Sequence, residues 1–219
     1  MNIIWYGQSC FQISSSQGKN NHVSIIIDPF GGDIGLKLPR KLEADIVLVS
    51  HDHFDHNNIK AVSGSPLIIE GPGEYDARGV FIQGISGYHD NSQGAERGNV
   101  TIYIIEAEGM RICHLGDLGQ KELSSDQLEK IGEVDILIIP VGGVYTIDAD
   151  EAIKIMAQVE PKITIPMHYQ IPKLKIKLGG IDKFLKALGM KSLEPLPKLS
   201  IKKKDISSEE AKIIVLQHY

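Results

Sequence analysis

Cysteine is nearly missing from this chain. Only Cys10 and Cys113 occur, too few and too far apart for a disulfide framework or a zinc knuckle, so each reads as a small buried residue. No stretch approaches the ~18 consecutive apolar residues of a membrane span. Met1–Trp5 shows no basic start followed by an apolar run and a cleavage site, so the expectation is a soluble, cytoplasmic protein with no membrane partner. Positive charge is in deficit, 23 Lys and Arg against 28 Asp and Glu for a net −5, which argues against nucleic acid as a partner. A G-x-S-x-G nucleophile elbow and a G-x-x-x-x-G-K phosphate loop are both absent, which removes two common hydrolase chemistries. No linker or low-complexity tract interrupts the chain. Its 42% hydrophobic content suffices for the core of one domain over residues 1–219, with a homo-oligomer left open.

What the chain does have is histidine in one place. Of eight histidines, three fall between positions 51 and 56, together with Asp52 and Asp55. The preceding residues, Ile46 to Val49, are aliphatic without a break and read as a strand buried on both faces. Alternate side chains of an extended segment point the same way, so His51, His53 and Asp55 converge on one side and His56 serves an adjacent position. Imidazole and carboxylate are the donors that zinc, manganese or iron accept, and a catalytic site keeps one position open for water.

The sequence His51-x-His53-x-Asp55-His56 after an apolar strand resembles the H-x-H-x-D-H signature of the metallo-β-lactamase superfamily. Asp28, His89, Asp117 and His168 follow the order of that family's other motifs, so the resemblance covers nearly the whole chain. It is closest to the small metal-dependent hydrolases related to ascorbate-phosphate lactonases and, more distantly, to phospholipase D enzymes acting on N-acyl phosphatidylethanolamine. The resemblance implies an α/β fold, a four-layer αββα sandwich with one or two metal ions at one edge. It implies His51, His53 and His89 as ligands of one ion, Asp55, His56 and His168 as ligands of the other, and Asp117 between them. His89 taken alone would be a surface histidine, and Asp117 alone a helix cap; the family order assigns both to the metals. Asp28 orients a ligand histidine by the same resemblance, or simply opens a turn before Pro29. His114, inside an apolar strand, is a buried hydrogen-bonded residue or a supporting one for the metals.

Along the chain, residues 2–7 and 10–14 read as a hairpin, 14–21 as a turn, and 24–28 as a buried strand ended by Pro29. Asn57-Asn58 caps a short helix through Val62 whose positive end would face the metals. Strands are expected at 66–70 and 79–85, separated by a turn at 71–74, and at 99–106 and 110–115, joined at Glu108-Gly109. Ser124 to Gln127 is a capping box for a helix ending at Gly132. A strand at 135–141 leads into Gly142-Gly143-Val144-Tyr145, a loop able to bring Tyr145 to the substrate. A helix from Asp148 or Asp150 to Pro161 turns Ile153, Met156, Ala157 and Val159 inward. A strand at 163–166 delivers His168, a helix spans 181–188, and strands follow near 198–202 and 211–217.

The chemistry implied is hydrolysis. A divalent cation lowers the pKa of bound water toward about 7, which makes hydroxide available at neutral pH, and Asp55 is placed to take up or deliver a proton. The alternatives are a regulatory protein of the same fold that binds metal or ligand without turnover, and redox chemistry at a di-iron centre, for which no flavin domain is present. From Ile171 to Lys204 there are ten lysines against Asp182 and Glu194. In an extended segment Lys173, Lys175 and Lys177 share one face, which suits a small anionic substrate; the simpler reading is a solvated face.

Overall fold

The computed structural model describes residues 1–16, 18, 22–207 and 210–219. The chain opens with β1 (Asn2–Gly7) and β2 (Cys10–Ser16), an antiparallel pair in which Gly7 opposes Cys10. The tight turn needs positive φ at Gly7 and Gln8 (109° and 49°), which glycine adopts without cost. Strand β2 runs on to Ser16, two residues past expectation, and positions 17 and 19–21 of the expected turn lie outside the described residues. β3 (His22–Ile27) continues the antiparallel meander. After β4 (Leu42–Glu43), the strand β5 (Ile46–Leu48) pairs parallel with β3.

The helix expected after Asn57 is not there. Residues 59–61 form one 3-10 turn, and the Asn58 amide donates instead to the Phe30 carbonyl, 3.0 Å away. The chain then passes through β6 (Val62–Ser63), which pairs with β4, to β7 (Leu67–Ile69), parallel to β5. β8 (Gly73–Ala77) occupies part of the expected turn and forms a hairpin with β9 (Val80–Tyr88) around Arg78-Gly79, both at positive φ. It is an edge strand whose Glu74 and Asp76 face solvent, so it lacks the apolar run that marks a buried strand.

β10 (Asn99–Ala107) and β11 (Met110–His114) form the expected hairpin through Glu108-Gly109. Helix α1 (Ser125–Ile131) has the full capping box: the Ser124 hydroxyl accepts from the Gln127 N–H, and the Gln127 side chain accepts from the Ser124 N–H. β12 (Ile136–Pro140), α2 (Ala149–Val159) and β13 (Ile163–Met167) build a parallel crossover beside β11. Asp148 caps α2, whose buried stripe is Ala149, Ala152, Ile155 and Val159. Ile153 and Met156 flank that stripe and Ala157 is exposed, a correction to the inward face expected from the sequence. α3 (Ile181–Ala187) packs on α2. The final strands, β14 (Leu199–Ser200) and β15 (Lys212–Ile213), are shorter than expected.

Among the described residues two large sheets result, β14-β1-β2-β3-β5-β7 and β15-β13-β12-β11-β10-β9-β8, beside the small β4-β6 pair. They are the central layers of an αββα sandwich, with Trp5, Phe11, Tyr103 and a run of isoleucines fully buried between and beneath them. Among the described residues, helical cover ahead of β11 is limited to 3-10 turns, and no helix is long and apolar enough to cross a membrane. Cys10 and Cys113 are both buried and unpaired, as expected. The parallel strands β3, β5, β11, β12 and β13 end with Ile27, Leu48, His114, Pro140 and Met167, so Asp28, the 50–56 loop, Asp117 and His168 all emerge from carboxyl ends, where binding sites of parallel sheets form.

One buried hydroxyl ties the two halves together at that edge. Tyr103 on β10 places its oxygen 2.7 Å from the Val49 carbonyl and 3.0 Å from that of Ile69, and accepts from the Gly71 N–H at 3.1 Å. Phenylalanine at this position would leave those groups without their partner, which costs about 1–3 kcal/mol. Chemical denaturation of Tyr103→Phe is expected to show that loss; a midpoint equal to wild type would mean water takes over the bonds.

Candidate metal centre

The centre is assembled around Asp28, which sits at positive φ (47°) just past β3. Its Oδ1 accepts the Ser50 N–H at 2.7 Å and its Oδ2 the Ser50 hydroxyl at 2.7 Å. That hydroxyl proton is thereby committed, so Ser50 Oγ accepts from His51 Nδ1, 2.8 Å away. Asp28 Oδ2 also lies 3.1 Å from His56 Nδ1. One carboxylate thus fixes the tautomer of two imidazoles, directly for His56 and through a serine for His51. Both are left with a buried, inward Nε2: that of His51 has no hydrogen-bond partner, and that of His56 faces the carboxylates of Asp117 and Asp55.

The remaining groups come from four other turns. His89 follows β9; its N–H bonds the Gly98 carbonyl at 3.0 Å, and its own carbonyl lies so close to Gly119 that a Cβ there would sit 2.3 Å from the oxygen. His168 follows β13 at φ 50°, its N–H reaching the Gln8 carbonyl at 3.2 Å. Asp117 turns its Oδ2 toward His168 Nε2 at 3.1 Å, His56 Nε2 at 3.2 Å and His89 Nε2 at 3.8 Å, while Ser9 donates to its Oδ1 at 2.8 Å. The Gln8 amide nitrogen is 3.2 Å from Asp55 Oδ2. His114 spends both nitrogens on backbone, Nε2 donating to the Ser9 carbonyl at 3.0 Å and Nδ1 accepting from Gly116 at 3.1 Å. It has no lone pair for a metal and instead holds the turn that carries Ser9 to Asp117.

Donor atoms within 4.8 Å of one another fall into three groups: His51, His53 and His89; His51, His56 and Asp117; Asp55, His56 and His168. All seven residues proposed as ligands from the sequence are therefore brought together. Sequence reasoning missed Gln8, Ser9 and Ser50, which support them. A polar pair in the Gly7 turn carries no local signal of that role, whereas Ser50, interposed between a buried strand and His51, was a visible hint.

The electrostatics fit a cation. Burial would raise the carboxyl pKa of Asp55 and of Asp117, yet His56 holds Asp55 down at about 2, and His168 and His56 hold Asp117 well below the carboxylate range. Burial, then the charge of His56, pushes His51 down to about 3, and burial lowers His89. Burial also works against charge on His56, but Asp117 above all, with Asp28 and Asp55, raises it well above the usual imidazole value. Among the described residues, the ion pairs of Asp28, Asp55 and Asp117 are all to histidine, never to lysine or arginine. Ionised buried carboxylates beside imidazoles, with His51 and His89 held toward the neutral form and His56 holding a proton that a cation would displace, are the donor set of a divalent metal.

A family model described as the β-lactamase superfamily domain matches residues 2–168. The chain belongs to the metallo-β-lactamase superfamily. A metal-dependent hydrolase from Thermoplasma volcanium is 33% identical over 76% of this chain and 82% of its own length. A crystal structure from Thermotoga maritima, assigned as a Zn-dependent hydrolase of the metallo-β-lactamase superfamily, is 34% identical, covers 100% of this chain and 99% of its own, and superposes with a TM-score of 0.79. A metallo hydrolase from Ignicoccus hospitalis, at 20% identity, 92% and 99% coverage and a TM-score of 0.64, shares the fold.

This superfamily site opens into a cleft of about 590 Å³ with His53, Asp55, His89, Asp117 and His168 on its floor. Lys175 and Lys177 stand in its wall and Tyr145, 42% exposed, at its mouth. Lys173 does not join them. The 171–178 segment forms no strand, Lys173 takes φ 71° with its carbonyl packed on Gly35, and its charge acts on His218. Side-chain alternation therefore fails, and two of the three lysines reach the cleft.

A divalent cation at His56 Nε2 competes with the proton that the surrounding carboxylates favour, so metal uptake should release protons and tighten as pH rises toward the raised His56 value. In metal-free protein the same group stabilises the fold fully below the ordinary imidazole pKa of ~6.5, and that contribution is lost as pH rises through the raised value. Adding zinc to metal-free protein in weak buffer near neutrality is expected to acidify the solution. No proton release would mean that His56 is neutral before metal arrives.

Proposed function

We propose that this protein is a metal-dependent hydrolase of a small anionic substrate, of the phosphorylated-lactone or phosphodiester class, working with two divalent ions, zinc foremost. The observation that carries the reading is the placement of three donor groups on the floor of a cleft whose wall bears Lys175 and Lys177. His51, His53 and His89 would hold one ion, and Asp55, His56 and His168 the other, with the Asp117 carboxylate shared. When bound, such ions activate water and stabilise charge developing on the attacked group.

The chain's own residues do the rest. Asp28 and Ser50 keep His51 and His56 facing inward, Ser9 fixes Asp117, and Gln8 holds Asp55 where it can accept a proton at Oδ2. Lys175 and Lys177 raise the local concentration of an anion and favour it over a neutral lactam.

A panel of phosphorylated lactones, phosphodiesters and neutral lactams, offered to the zinc-loaded protein, tests the reading. Turnover of anionic members is expected. Asp117→Asn should lower metal content from two ions toward one and reduce kcat/KM by about 100-fold or more, since only an ionised carboxylate bridges well. Metal uptake with no turnover of any member would favour a binding protein over an enzyme.

A further inference from the structure

Beside the metal ligands, the cleft holds a cation that none of the site's known chemistry uses. Arg97 lines it, with a side chain about one-third exposed. Its guanidinium lies 5.7 Å from the centre of the Tyr145 ring, and its Nη1 makes a long ion pair, 3.9 Å, with Oε2 of Glu96, which also lines the cleft and whose other oxygen, Oε1, accepts from the Ser92 hydroxyl at 2.8 Å. The N–H fork of Arg97 thus lines the cleft with a long, solvent-exposed ion pair to Glu96 rather than a close bidentate one, and a better-placed oxyanion can compete for it.

The backbone that carries Arg97 is held by an unusual concentration of bonds on one residue. Asp90, buried and next in sequence to His89, accepts four backbone N–H groups: Ser92 at 2.7 Å and Gly94 at 2.9 Å on Oδ1, Glu96 at 3.0 Å and Arg97 at 2.8 Å on Oδ2. A surface loop of eight residues is thereby fixed from its centre, and Arg97 is fixed relative to the neighbouring ligand. The same cleft carries apolar surface: Phe54, between His53 and Asp55, is 69% exposed, the Tyr145 ring lies beside the Arg97 guanidinium, and Ile176 sits between Lys175 and Lys177.

We propose that Arg97 recognises an oxyanion of the substrate, that Asp90 is its positioning residue, and that the substrate carries an aromatic or other apolar body packed on Phe54 and Tyr145. The planar guanidinium fork matches two oxygens of a phosphoryl or carboxylate group, which the point charges of Lys175 and Lys177 do not. Exposed aromatics at a cleft mouth are covered when such a body binds. The inference deepens the hydrolase reading by naming what the same cleft selects.

Phenylphosphonate is the probe, titrated calorimetrically into zinc-loaded protein whose metal content is measured for every variant. Arg97→Met should weaken binding about tenfold or more, and Arg97→Lys by less, because a charged hydrogen bond is lost in the first and a point charge kept in the second. Asp90→Ala should weaken it comparably, and the double variant no further than Arg97→Met, which is the coupling expected when one residue acts through the other. If Asp90→Ala sheds metal, Asp90→Asn takes its place in the cycle. Methylphosphonate should bind wild type more weakly than phenylphosphonate. The proposal is overturned if wild type fails to bind phenylphosphonate, if Arg97→Met binds within about twofold of wild type, if the two losses multiply, or if methylphosphonate binds equally well. Arg97-dependent binding without turnover of any ester would leave this assignment standing and remove the hydrolase reading; turnover with Arg97-independent binding would do the opposite.

Discussion

Burying a carboxylate is costly unless its charge is compensated, and this chain buries three within one cluster, Asp28, Asp55 and Asp117, with imidazoles as their ion-pair partners. Much of the architecture at the carboxyl edge follows from that constraint. Each carboxylate is surrounded by directed donors: the Ser50 amide and hydroxyl for Asp28, the Gln8 amide for Asp55, the Ser9 hydroxyl for Asp117. The bonds that stabilise the carboxylates also turn the histidine nitrogens inward. Stability of the edge and readiness for a cation are therefore one arrangement.

The two sheets supply the rigid frame such an arrangement requires. Side chains meeting at one point from β3, β5, β11 and β13 need strands that all end on the same side, which parallel pairing within each sheet provides. The sheets are then locked to each other at that edge by Tyr103, and the turns after the strands accept positive φ at Asp28 and His168, where an ordinary extended exit would carry the side chains elsewhere. Backbone strain at those positions is held by surrounding hydrogen bonds, as sites commonly do.

Around this frame the cleft is mixed in chemistry. Imidazole and carboxylate line it together with three cations, Arg97, Lys175 and Lys177, interleaved with Phe54, Tyr145 and Ile176 and with one further carboxylate, Glu96. The loop after His89 combines both tasks, supplying a floor residue and, eight positions later, a wall residue, with Asp90 bonding the backbone between them.

The local elements and the four candidate ligands of the signature are legible in the residues alone. His51-x-His53-x-Asp55-His56 after an apolar strand is readable because its residues are adjacent, and the hairpin at Glu108-Gly109 and the Ser124 capping box are likewise short-range. The resemblance supplied His89, Asp117 and His168, which no local pattern ties to the signature, and the structure brings them to it. The residues that support them are brought in by the fold. Gln8 and Ser9 reach Asp55 and Asp117 across 47 and 108 positions of sequence, a separation no periodicity records. It also decided the walls: side-chain alternation assumed a strand at 171–178, but the chain turns there, so Lys173 leaves the cleft while Arg97, from a loop that reads as solvent-facing, enters it. Short-range order is written in residue spacing, whereas the direction a loop side chain takes is set by the distant groups that bond its backbone.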